Sequence, residues 1–233
     1  MQAPTPIEIP VEAPGIDHVR GLWSRAEGGA RPLLLACGAG LAMNAPFMAH
    51  VAEGLVRRGF SVLRFHYAYR ERAISQGKRM LPPDRPEVLE SVHRRALEEL
   101  IALSGEPRPL LAGKSLGARI STILAAKEAP CRGLVLFGYP LHPAGKPERL
   151  RSEHFPMICQ PTLFLQGTRD KLCTPELLLE ERRRFGGGVD IAFIEEADHS
   201  FHVPKRTGRT DREVLEQLLD RTAAWEEERF PPL

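Results

Sequence analysis

The sequence predicts an α/β fold in which a mostly parallel central sheet is flanked by helices on both faces. Three observations predict it. Short apolar runs alternate with segments whose apolar residues recur at the helical period, the pattern of strands joined by covering helices. The apolar run at 109–113 passes through G-K-S-L-G directly into a helical pattern, which sets Ser115 at the tip of a tight strand-to-helix turn. Asp170 and His199 follow two later apolar runs, so three polar groups suited to chemistry fall at three strand ends.

The elements follow in order. After an opening punctuated by Pro4, Pro6, Pro10 and Pro14, the stretches Ile7–Val11 and His18–Ser24 read as leading strands, the first at an edge where proline is tolerated. Residues 1–14 are assigned to an N-terminal extended segment and 15–233 to a single domain. Arg31–Cys37 reads as a buried strand that ends in Gly38-Ala39-Gly40. Phe47, Met48, Val51 and Leu55 give Pro46–Arg58 a helical period, and Gly59 stops it. Phe60–Phe65 is the next strand, followed by a polar, basic loop from Tyr67 to Asp84 and a helix from Pro86 to Leu103. Strands are then expected at 109–113, 133–138, 161–166 and 189–194, and helices at 115–127, 175–184 and 211–227. No internal repeat or low-complexity tract interrupts this order.

Composition narrows the function classes. A chain of 233 residues that is 42% hydrophobic and 27% charged can bury a large core without a second domain. The net charge of +2 is near balance, and the basic runs (Arg57-Arg58, Arg94-Arg95, Arg182-Arg183-Arg184, Lys205-Arg206) lack interleaved aromatics, so they read as solvated helix faces rather than a nucleic-acid surface. Cys37, Cys131, Cys159 and Cys173 show neither C-x-x-C spacing nor the density of a disulfide scaffold, which points to reduced thiols in a cytoplasmic protein. The opening residues lack the basic and apolar regions of an export signal, and the longest uncharged apolar run, Leu33–Met43, is too short to span a membrane. The histidines are scattered without ligand spacing, so no metal and no cofactor is expected.

A serine is a weak nucleophile at its free pKa and needs a base within hydrogen-bond reach, which in turn needs an orienting carboxylate. The chain order serine, acid, histidine is that of the α/β-hydrolase fold, and it assigns Ser115 as nucleophile, Asp170 as acid and His199 as base. Asp198 is the rival acid, but it adjoins His199, and neighbouring side chains diverge. His202 is the rival base. The oxyanion formed on acyl attack requires two preorganised N–H donors. Leu116, the first residue of the helix after Ser115, supplies one, and the turn after the Arg31–Cys37 strand supplies the other through Ala39.

Cys37-Gly38-Ala39-Gly40, Met43-Asn44-Ala45-Pro46-Phe47-Met48, Arg64-Phe65-His66-Tyr67, G-K-S-L-G-A-R, Tyr139-Pro140-Leu141, Leu165-Gln166-Gly167-Thr168-Arg169-Asp170 and Asp198-His199-Ser200-Phe201 form an ordered set. The set resembles a family of small, dienelactone-hydrolase-like α/β hydrolases that includes the testis-expressed and nonspecific-lethal-complex hydrolase-fold proteins. The resemblance covers about residues 20–225 and implies a triad at Ser115, Asp170 and His199. Where related chains have His-Gly this one has Cys37-Gly38, and His66 stands where they have Asn. The cysteine bears on the shape of the oxyanion turn.

These readings lead to a serine hydrolase that cleaves a carboxylic ester, thioester or related acyl bond of a small-molecule substrate through an acyl-enzyme. Two alternatives stand beside it: a non-catalytic interaction module on the same fold, and an acyltransferase with the same triad and a different acceptor. Only Tyr139–Gln160 separates the strand at 133–138 from the next, so the lid is small or absent. The site is then a shallow cleft, rimmed by Tyr67, Tyr139, Leu141 and Met157.

Overall fold

The computed structural model describes residues 2–28 and 31–231. Its elements run β1 (Thr5–Ala13), β2 (Ile16–Ser24), β3 (Arg31–Ala36), α1 (Pro46–Arg57), β4 (Phe60–Phe65), α2 (Ala68–Ser75), α3 (Pro86–Ser104), β5 (Leu110–Lys114), α4 (Leu116–Ala126), β6 (Gly133–Phe137), β7 (Thr162–Gly167), α5 (Pro175–Glu181), β8 (Val189–Ile194) and α6 (Asp211–Arg229). The eight strands form one sheet in the order β1-β2-β4-β3-β5-β6-β7-β8. β1 pairs antiparallel with β2 and β2 antiparallel with β4, whereas every pairing from β4 through β8 is parallel.

Strand alternation divides the apolar side chains between two cores. Leu33, Leu35, Leu110, Ala112, Val135 and Phe137 face the layer made by α1 and α6, which contributes Met48, Val51, Leu55, Leu218 and Trp225. Leu34, Ala36, Leu111, Leu134, Leu136 and Phe164 face the layer made by α3, α4 and α5, where Val92, Leu97, Ile120, Leu124 and Leu178 pack. Burial on both faces explains why the central strands read as continuous apolar runs rather than alternating ones.

Three stretches depart from the sequence reading. β1 is longer than Ile7–Val11 and is the edge strand of the sheet, a place where Pro6 and Pro10 leave no central ladder bond unmade. The helix expected at 175–184 ends at Glu181 and closes with a single 3-10 turn, Arg182–Arg184. The expected loop after Tyr67 contains α2, whose sequence A-Y-R-E-R-A-I-S carries no apolar stripe. That helix is held instead by tertiary contacts. Buried Glu71 accepts hydrogen bonds from the Arg20 guanidinium (2.7 Å) and pairs with His66 Nδ1 (2.8 Å), while Asp84 accepts from the Tyr69 N–H. Burial alone would raise the Glu71 pKa, but the bonds from His66 and Arg20 hold it down to about 2.

Candidate active site

The turn after β5 is built by two close approaches. A Cβ on Gly113 would lie 2.3 Å from the Gly117 backbone carbon, and one on Gly117 would lie 2.4 Å from the Ala36 carbonyl oxygen, so strand and helix meet only because both positions are glycine. Between them Ser115 takes φ 53° and ψ −111°, a conformation costly for a side-chain-bearing residue and found where function requires it. Its N–H donates to the Phe137 carbonyl of β6 (3.1 Å), and its own carbonyl accepts the Arg119 N–H (3.0 Å), which locks the turn between strand and helix.

The structure brings Ser115, His199 and Asp170 together. His199 Nε2 lies 2.9 Å from Ser115 Oγ, and His199 Nδ1 lies 2.7 Å from Asp170 Oδ2. A carboxylate only accepts, so Nδ1 carries the proton and Nε2 presents a lone pair to the serine hydroxyl. Asp170 is buried and fully engaged: Oδ1 accepts the Leu172 N–H (2.8 Å), and Oδ2 also accepts from Gln166 Nε2 (2.6 Å). The rival residues lie elsewhere. Asp198 shapes its own loop by accepting the N–H groups of Ser200 and His202. Exposed His202 pairs with Asp211 at 2.7 Å, and hydrogen bonding to that carboxylate raises its pKa.

Leu116 opens α4, so its N–H has no acceptor one turn back in the helix. The Gly38–Leu41 turn is closed by a Leu41 N–H to Gly38 carbonyl bond, and a Cβ on Gly38 would sit 3.4 Å from the Lys114 carbonyl oxygen, which places this turn against the residue before Ser115. Tyr69 of α2 donates to the Ala39 carbonyl (3.0 Å) and steadies the turn. Cys37 points away from it: its thiol reaches the Phe65 carbonyl at 3.4 Å, and burial pushes its pKa up to about 12, so it is an inert packing group.

Three of the four residues expected to rim the cleft have no surface to offer a substrate. Tyr67 is buried and its hydroxyl is hydrogen-bonded with His93 Nδ1 (3.0 Å), an imidazole that burial holds neutral by lowering its pKa to about 3. Tyr139 packs between Phe155 and Phe164 and donates to the Arg151 carbonyl, and Leu141 is fully buried beside it. Met157 is exposed, but it lies in the 3-10 turn Phe155–Met157. There the Ile158 carbonyl accepts from Gly187 just before β8, so Met157 sits at the end of the sheet remote from Ser115. The aromatic tips that sequence spacing suggested for a rim are core anchors.

Two residues at the site escaped sequence reasoning. Gln166 joins β6 to the acid, because its Oε1 accepts the Tyr139 N–H while its amide holds Asp170. Lys114 precedes the serine, is buried, and donates from Nζ to the His199 carbonyl (2.6 Å), beneath the rings of Phe47 and Phe201. Burial lowers its pKa to about 8 even though Asp170 and Asp198 favour the charged form. A lysine at the end of a strand buried on both faces was the available signal for it.

A family model described as an alpha/beta hydrolase domain matches residues 29–227. The chain belongs to that family. Among solved structures it is similar to dienelactone hydrolase from Anabaena variabilis, with 21% identity, a TM-score of 0.77, and 97% of this chain and 99% of that one covered. An alpha-beta serine hydrolase homologue from Coxiella burnetii aligns at 20% identity and a TM-score of 0.69, covering 92% and 96% of the two chains. XC6422 from Xanthomonas campestris, described as an a/b serine hydrolase without lid, aligns at 19% identity and a TM-score of 0.66, covering 95% and 96%. Among the described residues no helix is long and apolar enough to cross a membrane.

Proposed function

We propose that this alpha/beta hydrolase is a serine hydrolase that cleaves a carboxylic ester, thioester or related acyl bond of a small molecule. The observation that carries the reading is the hydrogen-bonded chain from Ser115 through His199 to Asp170 on a strained strand-to-helix turn. His199 Nε2 takes the proton as Ser115 Oγ attacks the carbonyl carbon, and Asp170 keeps the ring in the required tautomer and stabilises the imidazolium. The carbonyl oxygen, now an oxyanion, accepts from the N–H groups of Leu116 and Ala39, the largest single electrostatic contribution in reactions of this kind. Collapse breaks the bond to the alcohol or thiol, which leaves with the proton from His199. Water then attacks the acyl-enzyme by the same route, and His199 returns the proton to Ser115 as the acid departs.

The test is a panel of p-nitrophenyl esters and acyl thioesters run with the wild-type protein and Ser115→Ala. Turnover of at least one acyl class, with a burst of released nitrophenolate and loss of activity in Ser115→Ala, is the expected outcome. Turnover that survives the substitution, or a folded protein inert to the whole panel, overturns the reading.

A further inference from the structure

On the β6 side of Ser115 lies a depression lined by Arg119, Arg149 and Arg151 together with Glu148 and Glu153. Arg119 begins one turn along α4 from the serine, and the bond from its N–H to the Ser115 carbonyl fixes that spacing. Arg151 approaches from the loop after β6. Its N–H donates to the Leu141 carbonyl at 2.8 Å and its Nη1 to the Pro140 carbonyl at 3.3 Å, two residues beyond Gly138. A Cβ at Gly138 would lie 3.6 Å from His199 Nδ1, so the loop bearing Arg151 starts against the triad.

Three arginines against two glutamates leave this cluster positive, and its arginines are not paired. Among the described residues neither Arg119, Arg149 nor Arg151 makes an ion pair with a carboxylate, although Glu148 and Glu153 are near, and other arginines of the chain do pair, as Arg184 does with Glu181 at 2.7 Å. Arg119 Nε is buried and has no hydrogen-bond partner. Burial lowers the Arg151 pKa, and the positive charges of Arg119 and Arg149 lower it further. Two half-buried guanidiniums that repel each other, one with a donor unused, suit an anion with several acceptor oxygens.

We propose that Arg119 and Arg151 form an oxyanion-binding subsite that selects substrates carrying a carboxylate or phosphate a few bonds from the scissile carbonyl. The proposal rests on the reading of Ser115 as the nucleophile and adds the substrate class. Arg119 and Arg151 bind the remote charge, while Leu116 and Ala39 bind the charge that develops in the reaction.

The test compares two p-nitrophenyl esters of equal chain length, the neutral hexanoate and the anionic monoester of adipic acid. The wild-type protein should favour the adipate ester in kcat/KM by tenfold or more. Arg119→Met should lose about tenfold on that ester and less than twofold on hexanoate, Arg151→Met should follow in direction, and Arg119→Lys should keep part of the preference. Absence of a preference in the wild-type protein, or an equal loss on both esters in either variant, overturns the subsite while leaving the hydrolase reading intact. Calorimetric titration with adipate and with inorganic phosphate supplies a readout independent of turnover. Arg119-dependent binding in a protein that cleaves no ester keeps the subsite and removes the hydrolase reading. Which of the two anions binds tells carboxylate from phosphate, and Arg119-independent binding, or none, counts against the subsite.

Discussion

The two ends of the central strands treat buried cations in opposite ways. At the N-terminal end, Arg31 at the start of β3 and Arg132 just ahead of β6 share one buried carboxylate, Glu226 of α6, at 3.0 and 2.6 Å. At the C-terminal end, Lys114 and Arg64 are buried more deeply still, yet donate only to backbone carbonyls, those of His199 and Met43. The carboxylates that act on Lys114 are already engaged, Asp170 by His199 and Gln166 and Asp198 by the N–H groups of Ser200 and His202. One end neutralises its charge and serves stability. The other leaves Lys114 and Arg64 on neutral carbonyls, at the cost of keeping cations desolvated.

The sharpest break between the ends comes from the acid of the site. Asp170→Asn should lower kcat on the order of 10⁴, because His199 would be held in the wrong tautomer, while Asp198→Asn, which loosens only its loop, should cost far less. Equal losses in folded variants would mean the wrong carboxylate has been assigned. Glu226→Ala makes the opposite cut. It strands Arg132 and leaves Arg31 only the exposed Glu227, and should lower stability by about 1.5–3 kcal/mol with kcat of the folded fraction unchanged, as read by urea unfolding beside steady-state kinetics. A matching fall in kcat would show that the two ends are not independent.

Lys114→Met tests the other end. Losing the Nζ donor to the His199 carbonyl loosens the loop that carries the base, so kcat should fall about tenfold with KM little changed. An unchanged kcat in the folded variant would limit Lys114 to packing. Its lowered pKa also has a stability consequence. A lysine that titrates near 8 when folded and 10.5 when unfolded binds fewer protons in the native state across that window, so wild-type stability should rise with pH from about 8 to 10.5. The rise should be absent in Lys114→Met. The smallest effect concerns chain length. His199 keeps 28% of its side chain exposed, and the expected apolar rim is buried in the core. Among p-nitrophenyl esters, kcat/KM should therefore peak between acetate and butyrate and level off beyond about six carbons. A deep tunnel would gain severalfold per methylene, from roughly 0.8 kcal/mol each, and a steady rise to decanoate would contradict the shallow cleft.

Much of this was legible in the sequence, and the exceptions share a cause. The parallel strands announced themselves as apolar runs because both faces are buried, and G-K-S-L-G fixed the turn because its glycines meet steric demands that show as residue types. The meeting of Ser115, Asp170 and His199 followed from chain order at strand ends. α2 was hidden because its order comes from Glu71, Arg20 and His66, which lie on different elements. Tyr67 and Tyr139 misled because an aromatic near a strand end reads the same whether it faces substrate or core; only their partners, His93 and the Arg151 carbonyl, decide. Gln166 and Lys114 each stand in or at the end of an apolar run, where a lone polar residue gives no sign of what it holds.

The most direct measurement of the central claim is covalent labelling of the intact protein by a fluorophosphonate probe, with the modified peptide located by mass spectrometry. One adduct is expected, on Ser115, and it should be absent from Ser115→Ala. A folded wild-type protein that stays unlabelled, or labelling at another serine that persists in Ser115→Ala, would contradict it.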